Sequence, residues 1–410
     1  MELVNNKYQV QGVDLIEVAK EFGTPVYVYD SERIKAQYEK LKGAFPKLDV
    51  KLKYASKALT NLAVLKYLRS LGAGLDAVSI QEVELGMMAG YKPEEIMYTP
   101  NGVSFDEIKE GIDKGVVLNI DNISILEQFG HEYRDSVPVC IRLNPHLMAG
   151  GNHKISTGHI DSKFGISILQ TRHLLRVIDT YNIKVVGLHM HTGSDILDAG
   201  VFLNGAKLLF DIAKDFKDLE FIDFGSGFKV PYHESDVQVD LDDLGEKISK
   251  AFRAFCKDYG RDLQLWFEPG KYLVSDAGVL LVKTNVVKTT PATVFVGVDS
   301  GMNHLIRPMM YESYHDIVNI SNINGTKRVY TIVGYICETD TFGWDRKLDE
   351  VKEGDILAIK NAGAYGYSMS SNYNSRFRPS EVFIYKGNPH LIRKRETLED
   401  ITRNQVDWEL

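Results

Sequence analysis

Between residues 50 and 270 the sequence alternates, eight times over, a short apolar or β-branched run with a stretch of helical period. The strand-like runs are 51–57, 73–78, 96–100, 116–120, 138–143, 184–191, 219–224 and 263–268. Helical patterns at 61–70, 80–89, 105–113, 123–129, 167–180, 198–213 and 241–258 separate them, and Arg33–Phe45 precedes the first. Strict alternation predicts parallel strands, because a parallel neighbour is reached only over a crossover. Eight is the number of strands that closes a (β/α)8 TIM barrel. An open doubly wound sheet is the competing arrangement, but no Gly-x-Gly-x-x-Gly follows the first strand, so the barrel is favoured.

After Glu268 the character changes. Val279–Thr289, Thr293–Val298, Arg328–Ile336, Asp355–Ile359 and Glu381–Tyr385 are β-branched runs without helical spacing. They predict an α/β chain with a second, mostly β C-terminal domain: a barrel over 31–280, and 1–30 plus 281–410 as the β-rich part, with Val26–Asp30 as one of its strands. Leu15–Phe22 has the pattern of a short amphipathic helix, and Lys394–Leu410 that of a charged surface helix. A net charge of −8 offers no basic face to nucleic acid. Cys140, Cys256 and Cys337 cannot all pair and form no CxxC, as expected of reduced thiols in the cytoplasm. No apolar run reaches membrane-spanning length, and the N-terminus lacks a basic-then-apolar leader, so a soluble chain with no membrane partner is expected.

In a barrel, chemistry sits at the C-terminal ends of the strands. Those ends carry Lys57, Asp76, Arg142, His189 and His191, Asp223 followed by Gly225-Ser226-Gly227, and Glu268-Pro269-Gly270. A lysine amine there is a candidate Schiff-base nucleophile. His189 and His191 have the spacing of a metal pair. Asp223 is available to join them, but a third strand-end histidine is not, and the favoured reading has no metal, with one histidine packing and the other working. Thr192-Gly-Ser194 and Phe224-Gly-Ser-Gly227 are tight strand-to-helix turns, and two adjacent ones suit a phosphate. Glu268 is placed to pair with a lysine or a protonated ring nitrogen. Cys337, followed by Glu338 and Asp340, suits a proton donor better than a nucleophile. In the β-rich part, Arg307 with Tyr311 is a candidate carboxylate reader. Small residues around Tyr365 in Asn361-Ala-Gly-Ala-Tyr365-Gly-Tyr367 let backbone approach a ligand.

Taken in order, these motifs resemble the fold-type III pyridoxal-phosphate decarboxylases. Tyr54-Ala-Ser-Lys57, His189-Met-His-Thr-Gly-Ser194, Gly225-Ser-Gly227, Glu268-Pro-Gly-Lys271, Cys337-Glu338 and Gly363-Ala-Tyr365 match that family's signatures over about residues 10–390. Three stretches favour its diaminopimelate branch over the polyamine branch: Ile155–Gly158 with Ser162–Gly165, Ile306–His315, and Tyr367–Asn374. The resemblance implies decarboxylation of meso-2,6-diaminopimelate to L-lysine and CO2, the last step of lysine biosynthesis. Decarboxylation of D-ornithine, D-lysine or carboxynorspermidine is the alternative, and a catalytically silent regulatory homologue is a third reading.

The same resemblance implies a head-to-tail homodimer with shared active sites, completed by the β-rich domain, with Cys337 and Glu338 reaching the partner's site. It makes Lys57 the Schiff-base lysine of pyridoxal 5'-phosphate, His191 the residue stacked on its ring, and Glu268 the partner of its nitrogen. Asp76, Arg142, Ser194, the Gly225–Gly227 loop, Pro269, Gly270, Lys271 and Tyr365 would complete the cofactor site. Lys271, Arg307, Tyr311, Glu338 and Tyr365 would hold the substrate, and Cys337 would return a proton to it. Two features depart from the pattern. Lys271 stands where arginine is usual, a point charge in place of a planar fork. The stretch 339–346 reads as an aromatic insertion after Cys-Glu. Lys53, on the strand face of Lys57, has no role in the resemblance.

Overall fold

Helix starts in the computed structural model fall where a short polar side chain precedes an apolar run. Asn61, Ser79, Ser104, Asn122 and Asp240 each accept a hydrogen bond from a backbone N–H of the following turn. Each such cap satisfies a donor that the helix itself leaves unpaired. The structure describes residues 1–147, 161–191, 193, 199–233, 235–238 and 240–409. The chain divides into two compact units: Ala36–Pro231 with Val237–Tyr272, and Met1–Lys35 with Tyr232–Asp236 and Leu273–Leu410.

The first unit is the barrel that the alternation predicts. Its strands are β1 (Val50–Ala55), β2 (Gly74–Ala77), β3 (Ile96–Tyr98), β4 (Val117–Ile120), β5 (Val139–Asn144), β6 (Val185–Met190), β7 (Phe221–Asp223) and β8 (Gln264–Phe267). Each pairs in parallel with the next, and β8 pairs with β1, so the sheet closes. The crossover helices include Leu62–Ser70, Ile80–Met88, Phe105–Asp113, Ile123–Glu132, Ala199–Ala213 and Leu241–Tyr259. The helix expected over 167–180 runs Thr171–Tyr181, because Ile168–Gln170 winds as a tighter 3-10 turn after the Ser167 cap.

In the second unit Gly278–Thr289 is the central strand, antiparallel to Val294–Val298, Val26–Asp30 and Ile356–Ile359. Val26–Asp30 in turn pairs in parallel with Ser380–Tyr385. Residues 339–346 are not a free insertion: Thr341–Asp349 is a strand paired with Lys327–Val333, and it buries Phe342. The charged C-terminus contributes only the one-turn helix Leu398–Thr402. Among the described residues no helix is long and apolar enough to cross a membrane.

Lys53 finds its account inside the barrel. Met97, Cys140, Val186, Phe221 and Trp266 form a buried cluster there, with the Phe221 and Trp266 rings stacked at 3.6 Å. The Lys53 amine lies 4.3 Å from the Trp266 ring centroid and donates to the Glu95 carbonyl at 3.2 Å. Gly74, its partner in β2, makes the room: a Cβ there would lie 3.1 Å from Lys53 Cγ. Burial lowers the Lys53 pKa to about 8, against the pull of Asp223, Glu268 and Asp76. Between pH 8 and the ordinary lysine value the unfolded chain holds this proton and the folded chain releases it. Stability attributable to Lys53 therefore rises with pH across that window, by about 3 kcal/mol. Lys53→Met is expected to be more stable than the parent at pH 7 and to lose that rise. Urea unfolding of both proteins at pH 7 and pH 10 checks it.

Candidate active site

The closed register of the barrel sets one layer of polar residues at the strand ends. Ala55 faces Asp76, and His189 faces both Arg142 and Asp223. Lys57 follows β1 in a 3-10 turn, and Glu268 follows β8. Asp76, Arg142, His189, Asp223 and Glu268 are all buried, whereas the Lys57 side chain is 45% exposed. The Lys57 amine stands 3.7 Å from Asp76 Oδ2, and His189 Nε2 stands 3.1 Å from Glu268 Oε2.

Backbone contacts hold these groups in place. The Gly225 N–H donates to Asp223 Oδ1 at 2.8 Å, and the Glu268 N–H donates to the Gly225 carbonyl at 2.6 Å. Ala55 N–H donates to the Pro269 carbonyl at 3.2 Å. Gly270 packs on Ala55, where a Cβ would come within 3.1 Å of the Ala55 methyl. Ser56 Oγ lies 3.0 Å from the Asp76 carbonyl and 2.9 Å from Glu82 Oε2, either of which can take its one proton, and Glu82 Oε2 also accepts from the Val78 N–H. This pins the turn that carries Lys57.

Electrostatics separates the acids. Burial pushes Asp76 up to about 7, with Glu268 adding to the rise and Lys57 opposing it. Burial, then Glu268, pushes Asp223 well above the usual carboxylate range. Burial also works against charge on Glu268, but His189, Lys57 and His191 outweigh it and bring Glu268 down to about 2. Burial lowers His189, with Glu268 opposing. The His189–Glu268 pair thus keeps its negative charge on the carboxylate. Burial, then Arg142 and Lys57, holds His191 well below the ordinary histidine value, so its imidazole is neutral at neutral pH.

His189 and His191 do not converge as a metal pair. His191 lies past the end of β6 and accepts at Nδ1 from the Ser226 N–H at 3.2 Å. Among the described residues, the group with metal-ligand spacing is His189, Asp223 and Glu268, within 4.8 Å of one another. His189 and Asp223, which the motif assignments leave without a role, therefore sit at the centre of the layer. Their signal in the sequence was position alone, as polar residues ending apolar strands.

The barrel residues fit the group that the motifs imply. Both Asp76 oxygens, Asp223 Oδ2, Glu268 Oε1 and His189 Nδ1 are buried without a hydrogen-bond partner. Buried polar atoms are rarely left so unless a ligand or water completes them. Gly225 and Gly227 lie at φ +60° and +138°, and a Cβ on Gly225 would strike the His191 ring at 2.7 Å. The Gly225 and Ser226 N–H groups of this turn are held by Asp223 and His191, so what the turn offers a phosphate is a close backbone approach rather than those two donors. An amine, an ionised buried acid and a side-chain-free turn match an aldehyde, a basic ring nitrogen and a phosphate. Ser194 and Ile155–Gly158 lie outside the described residues. In Ser162–Gly165, the Phe164 ring lies 4.8 Å from the Arg142 guanidinium carbon. Lys271 opens the one-turn helix Lys271–Val274 and is partly buried.

In the second unit, Arg307 is buried, with its guanidinium carbon 5.7 Å from the ring centroids of Tyr232, Tyr311 and Tyr365. One Nη donates to Ser313 Oγ at 3.3 Å, and Nε has no hydrogen-bond partner. Tyr232 is a residue the motifs did not mark. It stands alone in sequence, far from the other members of the box. Tyr365 sits at φ +56°, a strained value for an aromatic residue. Beside it, a Cβ on Gly363 would fall 1.8 Å from the Val274 carbonyl. Cys337 and Glu338 are exposed, while Asp340 is buried and accepts from the Met302 and Ile336 N–H groups. Asp340 thus shapes the turn, and of the two acids Glu338 is the one at the surface beside the thiol.

Comparison with known proteins agrees with this chemistry. Residues 31–275 match the family model of the pyridoxal-dependent decarboxylases, pyridoxal binding domain. The diaminopimelate decarboxylase of Methanothermobacter thermautotrophicus is 39% identical over 97% of this chain and 95% of its own. That of Bacillus subtilis is 36% identical over 96% of this chain and 94% of its own. The crystal structure of the Methanocaldococcus jannaschii diaminopimelate decarboxylase in complex with L-lysine superposes with a TM-score of 0.91. It is 36% identical and covers 99% of this chain and 98% of that one. With an amine, a buried acid and a glycine cradle on the strand ends of such a barrel, the chain belongs to the diaminopimelate decarboxylase family of pyridoxal-dependent decarboxylases.

Proposed function

We propose that this protein decarboxylates meso-2,6-diaminopimelate to L-lysine and CO2 with pyridoxal 5'-phosphate. The observation that carries the substrate is Arg307: a buried guanidinium in a box of three tyrosines, with Nε unpartnered. A planar fork of donors suits a carboxylate. Diaminopimelate differs from lysine in its second carboxylate, so a buried arginine left without one disfavours lysine-like competitors by about 3–5 kcal/mol. That preference opposes the reading in which D-ornithine, D-lysine or carboxynorspermidine is the substrate. The related enzyme with L-lysine bound supports the same assignment.

Bound pyridoxal phosphate supplies the electron sink for the pair left on the substrate carbon when CO2 departs. Lys57 would hold the cofactor through its aldehyde. Glu268, kept ionised, would hold a proton at the ring nitrogen, with His189 keeping the charge on the carboxylate. His191, neutral, would lie against the ring without adding charge. Asp76 and Arg142 would complete the cofactor site, Pro269 and Gly270 would fix the Glu268 turn, and Ser194, the Gly225–Gly227 loop and Tyr365 would take the phosphate. Arg307 and Tyr311, with Lys271 and Glu338, would hold the substrate. Cys337 would return a proton to the substrate carbon. The working form is a cytoplasmic homodimer in which Cys337 and Glu338 complete the partner's site, for which both are suitably exposed.

The purified protein is expected to bind pyridoxal phosphate and to release CO2 from meso-diaminopimelate in preference to lysine and ornithine. Comparative turnover checks it, and equal rates on lysine-like compounds overturn the substrate. Borohydride is expected to fix the cofactor covalently on the parent and not on Lys57→Ala, as read by intact mass. Glu268→Gln is expected to lower kcat by about 10²-fold, the scale of one preorganised electrostatic group, with cofactor still bound by absorbance. Arg307→Lys keeps the charge and loses the fork. It is expected to raise KM for diaminopimelate by about tenfold with kcat little changed, as measured by steady-state kinetics.

A further inference from the structure

The stretch Tyr367–Asn374 marks the diaminopimelate branch, yet only its neighbour Tyr365 has a part in the function above. Its last two residues meet the segment that carries Cys337. Asn374 Oδ1 accepts from the Cys337 N–H at 3.0 Å, and Asn374 Nδ2 donates to Cys337 Sγ at 3.1 Å. One amide therefore fixes both the backbone and the sulfur of the same cysteine. The Tyr373 hydroxyl donates to Glu338 Oε1 at 2.9 Å and lies 3.9 Å from Cys337 Sγ.

This contact is built rather than incidental to a loose loop. Asn374 and Ser375 lie at φ +57° and +54°, the left-handed region that non-glycine residues seldom adopt. The base of the loop is tied down. Ser371 N–H donates to the Asn303 carbonyl at 2.8 Å, and Asn372 Nδ2 donates to Glu396 Oε2 at 2.6 Å. On the other side, Asp340 fixes the turn of 336–340 through two backbone N–H groups. The Glu338 hydrogen bond, then Cys337, pushes the Tyr373 phenol up to about 12, so it remains a donor throughout the working range.

The geometry points to Tyr373 and Asn374 as positioning residues that hold the Cys337 thiol and the Glu338 carboxylate as one unit. Asn374 orients the sulfur for the proton transfer assigned to Cys337, and Tyr373 keeps Glu338 beside it for the substrate. The functional part of this inference rests on the decarboxylase reading. The clamp itself rests on contacts within this chain.

Alkylation by iodoacetamide in the pyridoxal-phosphate-loaded protein tests it, because Cys140 and Cys256 are buried and Cys337 is exposed. Asn374→Asp keeps the acceptor for the Cys337 N–H and tolerates the left-handed backbone, but it removes the donor to sulfur. It is expected to slow alkylation of Cys337 at pH 8 by about fivefold, the factor carried by one hydrogen bond, and to lower kcat with KM nearly unchanged. Tyr373→Phe is expected to raise KM more than it lowers kcat. An alkylation rate in Asn374→Asp within twofold of the parent, or equal losses in kcat and KM for both variants, overturns the clamp. Normal decarboxylation with alkylation unmoved by Asn374→Asp removes the clamp and keeps the function. Slowed alkylation in a protein whose parent releases no CO2 keeps the clamp and removes the function.

Discussion

An acid only 7% exposed stays ionised only where its surroundings replace the lost water, and Glu268 does so because the barrel is closed. Six of the eight strands deliver a residue to the same layer, so charges far apart in sequence arrive as neighbours. Asp76, Asp223 and Glu268 are set among Lys53, Lys57, Arg142, His189 and His191, and most of the electrostatic influences on each acid run through this group. None of the buried members of this group would hold a charge alone at its burial. Removing one partner of a buried pair leaves an uncompensated charge and costs about 3–5 kcal/mol. The hydrogen-bond register of the sheet is therefore also the scaffold of the charge pattern. A slip by one residue would turn alternate side chains away from the layer and undo both.

That dependence explains why the barrel was legible in the sequence. Parallel strands buried on both faces must be short and apolar, and a polar residue at their ends breaks the pattern visibly. Asp76, Arg142, His189, Asp223 and Glu268 stand out in this way, and the alternation with helices locates each one. The second unit was less legible. Thr341–Asp349 escaped as a strand because Gly343, Trp344, Asp345 and Arg346 show no period-2 apolar face, and much of the strand is exposed. It lies at the end of the sheet path, where burial does not constrain composition. The strand Glu2–Val4 escaped for the same reason, being exposed throughout, and its partner Lys7–Val10 is only four residues long. Tyr232 left no signal because its place comes from packing rather than from periodicity, and Asn374 was marked only as part of the stretch Tyr367–Asn374, without the role that its contacts give it.

The two units accordingly place functional side chains by different physical means. In the barrel, position follows from regular strands; of its left-handed non-glycine residues, Lys47, Arg134 and Asn182 lie at helix ends and turns, and His146 lies just past the end of β5. In the second unit, some of the candidate residues sit in or beside left-handed positions: Glu312 next to Tyr311, Tyr365 itself, and Asn374 with Ser375. Such conformations cost about 1–3 kcal/mol each and persist only where surrounding contacts over-determine them. Those contacts are present. Gly363 is pressed against the Val274 carbonyl, Ser275 accepts the Gly278 N–H at its own carbonyl, and Asn372 is locked to Glu396. Strands set side chains one step apart along a fixed direction, which suits a planar ring that needs an amine, an acid and an anion cradle at fixed spacing. Loops strained into left-handed turns set side chains in directions that a strand does not offer, and the rigidity that the strands have by hydrogen bonding these loops acquire by close packing.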